Sequence, residues 1–166
     1  MRRASLAVLV PLAFLLTGCV FPPLPAIPPI PIPGETLIPA DPEACSDGTL
    51  EIDQPGEYRI GPCDELVVEG RDIEVIADEV GALIIRGDDV EVDTRAIDIL
   101  KIEGQSNDVE AGDIGRIDIR GDDNDVDSSG DIESVTINGS SNEVEYAGNL
   151  GASDVNGDRN EVRQGR

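Results

Sequence analysis

Residues 100–128 read LKIEGQSNDVEAGDIGRIDIRGDDNDVDS. One frame occurs twice in that stretch. Leu100-x-Ile102-x-Gly104-x-x-Asn107-x-Val109 is followed by Ile117-x-Ile119-x-Gly121-x-x-Asn124-x-Val126. Working outward, the same glycine recurs as Gly70, Gly87, Gly104, Gly121, Gly139 and Gly157, with spacings of 17, 17, 17, 18 and 18 residues. A fixed period this short marks a solenoid, in which a unit buries its apolar side only by stacking on its neighbours.

Aligned on the glycine, the aliphatic residues fall into columns. Two residues before it stand Val68, Ile85, Ile102, Ile119, Ile137 and Val155; four before it stand Leu66, Leu83, Leu100, Ile117, Val135 and then Ser153. Alternation with period two predicts a strand with one buried face. Val75, Val92, Val109, Val126, Val144 and Val162 predict a second side, and Val80, Ile97, Ile114, Ile132 and Leu150 a third. The expected fold is all-β: a single-stranded, right-handed parallel β-helix of about seven coils of 17–18 residues. The right hand is the usual hand of parallel crossovers. The repeated glycines fall at the corner between the first two sides, where a tight turn calls for φ > 0.

Three residues after the glycines come Ile73, Val90, Asn107, Asn124, Asn142 and Asn160. Ile and Val in the same slot place it inside, so the asparagines need buried partners. Stacked amides supply them to one another along the axis; a row of ligand-binding asparagines is the alternative. Residues 48–63 fit an earlier coil, with Leu50, Ile52, Tyr58, Ile60 and Cys63 near inward positions. Cys45 stands 18 residues before Cys63, one coil lower. Stacked positions suit a disulfide's Cα separation, so Cys45–Cys63 is the expected bridge.

Outward positions are charged. Glu69, Arg86, Glu103 and Arg120 alternate in sign and become neighbours when the coils stack. On the second side the charges do not alternate. Glu74, Glu91, Asp108, Asp125, Glu143 and Glu161 form one carboxylate row; Asp93, Glu110, Asp127 and Glu145 form another. Such a face repels itself and discourages edge pairing. It also suits a basic partner, and it offers oxygens to Ca²⁺, although the calcium-binding nonapeptide is absent. The last coil departs from the frame: Ser153 replaces an aliphatic residue, and Arg159, Arg163 and Arg166 gather there.

Composition narrows the function. A formal net charge of −23 opposes binding to nucleic acid. There is no histidine, which removes Ser-His-Asp and Cys-His devices and His-ligated metals. Coils without insertions offer no loops to wall a cleft. The expected catalytic set is therefore empty, and the expected cofactor set holds no more than covalent lipid and weakly bound Ca²⁺.

That lipid is expected at the N-terminus. Arg2 and Arg3 precede the apolar run Leu6–Leu16, which has the length of a signal h-region and is too short to span a bilayer. The run ends Leu16-Thr17-Gly18-Cys19, which resembles the bacterial lipobox. The resemblance implies a signal peptide over 1–18, cleavage before Cys19 and diacylglycerol, with its palmitate-type chains, on the Cys19 sulfur. Residues 19–44 then form a lipidated, disordered stalk, with nine of the twelve prolines lying in 20–44. A polyproline-like stalk reaches about 75 Å at about 3.1 Å per residue. The solenoid domain occupies 45–166. The expected location is the outer face of the bacterial cell membrane, or the outer membrane where there is one.

Gly104/Asn107/Val109, Gly121/Asn124/Val126, Gly139/Asn142/Val144 and Gly157/Asn160/Val162, behind a lipobox and a low-complexity linker, resemble a family of small actinobacterial lipoproteins of unknown function. The resemblance covers about residues 45–166 and implies location but no activity. The coil length is also similar to that of bactofilins, which polymerise end to end. Three functions are thus expected in order: an envelope-anchored acidic module binding a cationic envelope component or protein; a solenoid that self-associates through its ends; and a carbohydrate-active or cation-binding protein.

Overall fold

The computed structural model describes Cys45 and residues 48–165. The leader, Cys19, the proline-rich stretch and Arg166 lie outside the described residues. The described chain is a parallel β-solenoid with no helix. Its strands are β1 (Thr49–Ile52), β2 (Gly56–Ile60), β3 (Cys63–Val68), β4 (Arg71–Ile85), β5 (Asp88–Ile102), β6 (Asp108–Ile119), β7 (Asp125–Ser128), β8 (Ile132–Asn138), β9 (Glu143–Tyr146), β10 (Leu150–Asn156) and β11 (Glu161–Gln164). Every pairing is parallel and joins a residue to its equivalent one coil on: Leu83 to Leu100, Leu100 to Ile117, Ile117 to Val135.

The aliphatic columns form the core. Leu66, Leu83, Leu100 and Ile117 are wholly buried, as are Val75, Val109, Val126 and Val144. Cys63, Val80, Ile97, Ile114, Ile132 and Leu150 are successive partners on the third ladder. In the first coil Ile52, Ile60 and Cys63 are buried, while Leu50 and Tyr58 pack against the core half-covered. Cys45 is bonded to Cys63 with their Cα atoms 4.8 Å apart, about one coil rise.

The corner differs from the sequence expectation. Among its repeated glycines only Gly70 (φ 132°) and Gly157 (φ 112°) have positive φ. The left-handed residue falls two positions later, at Asp72, Asp89, Ser106, Asp123, Ser141 and Arg159, with φ between 54° and 59°. Asp and Ser bear that conformation better than most residues because their short polar groups bond locally. The glycines are needed for closeness instead. A Cβ on Gly104, Gly121 or Gly139 would lie 1.7, 1.8 or 1.9 Å from the carbonyl oxygen of the glycine one coil before. Corner stacks on corner with no room for a methyl group.

Candidate functional site

The second side carries the two carboxylate rows. Its register is set by the inner valines, and an in-register strand puts like residues over like. Glu74 pairs with Glu91, Glu91 with Asp108, Asp108 with Asp125 and Asp125 with Glu143. Beside them run Asp93, Glu110, Asp127 and Glu145, again as successive partners. The residues between the rows point inward, so all these carboxylates share one outer face. Burial, and then the charge of Asp127, hold Asp108 above the ordinary carboxylate range. Asp125 is raised by burial first, then by Asp127, Glu143 and Asp108.

A shallow groove of about 660 Å³ runs along the second row. Asp93, Glu110, Asp127 and Glu145 line it. Thr94, Ala111 and Ser128 form its floor, each nearly covered. The floor hydroxyls are already committed: Thr94 Oγ1 donates to the Asp78 carbonyl at 2.9 Å, and Ser128 Oγ to that of Gly112 at 2.6 Å. Arg95 also lines the groove but is paired with Asp78 at 3.3 Å and Glu79 at 3.6 Å, so the acidic wall is the groove's free chemistry. Among the described residues no group of three or more His, Cys, Asp or Glu side chains converges to hold a metal ion. The rows are lines of charge rather than a cage.

Arginine closes the rows at one end; at the other, Arg59 stands in the same column with Ile76 between it and Asp93. Arg59 precedes the second row in register and pairs with Glu57 at 2.7 Å. Arg163 ends it, where its guanidinium bonds both Glu143 and Glu145 and lies 3.7 Å from Glu161. Sequence reading grouped Arg163 with the other C-terminal arginines. Its place as a clip across both rows was legible only from its position six residues after Gly157.

The alternating column on the first side is partly as expected. Arg86 bridges Glu69 at 2.6 Å and Glu103 at 3.3 Å. Arg120 does not continue the chain. It pairs with Asp118 on its own strand at 2.9 Å, and Lys101 reaches Glu103 at 2.8 Å. A closer carboxylate two residues away wins over one a coil distant.

The asparagine slot is occupied by hydrogen bonds within the protein. Asn107 Nδ2 donates to Asn124 Oδ1 and Asn124 Nδ2 to Asn142 Oδ1, both at 2.9 Å; Asn142 Nδ2 donates to Asn160 Oδ1 at 3.0 Å. The second amide proton goes to the glycine carbonyl of an earlier corner, Gly87, Gly104 or Gly121. Each Oδ1 also accepts a backbone N–H, beginning with that of Val90 on Asn107. These side chains thus spend both donors and the acceptor inside the wall. A second polar motif, repeated at two different corners, escaped the sequence. Asp88 and Asp122 accept the N–H of Gln105 and Ser140, and Asp113 and Asp131 those of Asp131 and Asn149. Aspartates at corner offsets were its only signal.

No family model, curated protein or solved structure matches this chain.

Proposed function

We propose that this chain is an exported lipoprotein, anchored through Cys19, that presents its acidic solenoid face as a binding module for a cationic envelope component or protein. One observation supports the binding role above others. Ten carboxylates stand in two in-register rows with a groove beside them; the second row's own column holds no cationic side chain between Arg59 and Arg163, and Arg95 in the groove is spent on Asp78 and Glu79. Like charges directly opposed on a sheet cost stability. A linear polycation would relieve that repulsion along the whole row, and its capture would weaken as salt screens the contact. The lipobox-like Leu16–Cys19 and the proline-rich stalk support the anchored location. The disulfide agrees with an oxidising compartment.

The test compares the full-length chain with a variant carrying D93N, E110Q, D127N and E145Q. A lysine-rich peptide should bind the parent at low salt and the variant at least about tenfold more weakly. Equal binding by both would overturn the binding role. The anchor is tested separately: C19S should move the chain from membranes to the soluble exported fraction. Self-association through the ends is a second function, favoured by the open edge of the last coil, where Val155 is 41% exposed.

A further inference from the structure

The two ends of the solenoid are built differently. In the first coil the inward Ile52 and Ile60 are each 4% exposed, and Cys45 is tied to Cys63. In the last coil every residue from Gly151 to Arg159 is exposed. Among the described residues β11 pairs with β9 alone, so one side of it is an open edge.

The hydrogen-bonding groups of that edge have a defined direction. The N–H groups of Glu161 and Gly165 donate backward to the Asn142 and Tyr146 carbonyls at 2.8 and 2.9 Å. Backbone groups alternate sides along a strand. Those of Asn160, Val162 and Gln164 therefore face outward from the end. One coil earlier the same position is used in that direction, since the Asn142 N–H donates forward to Asn160 Oδ1 at 3.0 Å.

Charge decides what can cover this edge. A second copy adding its first coil in continued register would extend the columns Glu57–Glu74 to Glu143–Glu161 and Arg59–Ile76 to Glu145–Arg163. Glu57 would lie on Glu161 and Arg59 on Arg163. On the first side Glu51 would lie on Asp154, because Glu51 pairs with Val67 and Thr136 with Asp154 along one column. All three couples are like-signed. An antiparallel contact of two β11 strands, centred on Val162, behaves otherwise. Glu161 of each copy then faces Arg163 of the other on the outer surface. Val162 meets its own equivalent and continues the inner column of Val126 and Val144, both wholly buried. The Asn160, Val162 and Gln164 backbone groups meet one another. Arg163 keeps spare donors for this, since a guanidinium has five. In a chain of net charge −23 the arginine-bearing coil is also where two copies repel least.

From this match of charge, core column and backbone direction, we infer that two copies of the chain join tail to tail through β11, closing a two-fold dimer rather than growing a filament. The inference stands apart from the carboxylate-face binding. It replaces open-ended stacking by a contact that stops at two.

The full-length chain in density-matched detergent should sediment as a dimer, with nothing larger at rising concentration. V162P removes an N–H that faces outward and is used by no neighbouring coil, a position where edge strands tolerate proline. It should weaken dimerisation at least about tenfold while the circular dichroism spectrum stays that of the parent. As a check independent of that variant's folding, E161C and R163C proteins are mixed and oxidised. The mixed E161C–R163C species should form well in excess of either self-linked one. A monomer at all concentrations, growth beyond the dimer, or cross-linking no better in the mixture than alone would overturn the inference.

Discussion

At the scale of single residues, the wall is held by groups with no room to vary. Gly121 has an ordinary φ, so its requirement is steric: a Cβ there sits 1.8 Å from the Gly104 carbonyl oxygen. G121A must push two corners apart, and its expected cost is about 3 kcal/mol, the upper range for overpacking. Two positions on, Asp123 holds φ 55°. D123V forces a β-branched residue into the left-handed region and should cost about 1–2 kcal/mol. Urea denaturation of the two variants checks both; a G121A midpoint equal to the parent's would mean that the coils can separate freely. Asn124 is a different kind of constraint. N124A leaves the N–H and Nδ2 of Asn107 and the Gly104 carbonyl without their partner. Buried groups left unpaired cost about 1–3 kcal/mol each, so a loss near 3 kcal/mol in the same denaturation experiment is expected. Ile73 and Val90 fill this slot in earlier coils, where the preceding slot residues, Gly56 and Ile73, carry no side-chain amide that needs an acceptor.

Individual elements carry opposing electrostatics. On the second side Asp108 and Asp125 have raised pKa values, from burial first and neighbouring carboxylates next. A carboxyl whose folded pKa exceeds its unfolded value binds its proton more readily when folded. Its charge therefore opposes folding at neutral pH. Relief begins as pH falls through the raised folded value and is complete below the ordinary one. Glu103 works the other way: hydrogen bonding from Lys101 lowers its pKa, so its contribution is lost as pH falls through that depressed value. D125N should raise the thermal midpoint at pH 7 by about 2 °C, and it should shrink the gain in stability seen on mild acidification. A fall in midpoint at pH 7 would show that Asp125 is held by favourable bonds instead. At the N-terminal end the disulfide ties Cys45 to the start of β3 across β1 and β2. Reduction should speed hydrogen exchange in those two strands by at least about tenfold. The central strands β5 and β6 should keep their protection, because nearest-neighbour stacking confines a loss at one end.

Across the whole molecule, the fold was legible because its signal is repeated. Six copies of one frame fixed the coil length, three inner columns and the register, and one misfit such as Ser153 could not hide them. The disulfide was legible for the same reason, since a spacing of one coil converts directly into a distance. What the frame could not give was the choice between near neighbours. Arg120 turns to Asp118 rather than Glu103, and the left-handed corner residue lies two places beyond the glycine. Both depend on distances of a few ångströms that a repeat length does not encode. The carboxylate face was visible as a pattern, but its groove and the Arg163 clip depend on which side chains fold over the wall. That face makes the stability of the molecule a function of its surroundings. Its repulsion acts between members of a row one coil apart, within a Debye length of about 10 Å at 0.1 M salt. Raising ionic strength from about 0.01 M, where the Debye length is about 30 Å, to about 1 M should therefore raise the thermal midpoint. A variant with D93N, E110Q, D127N and E145Q should start higher and gain less. If the two respond equally to salt, the destabilising field belongs to the charge of the whole chain rather than to the rows, and a cationic partner would not stabilise the domain by seating on them.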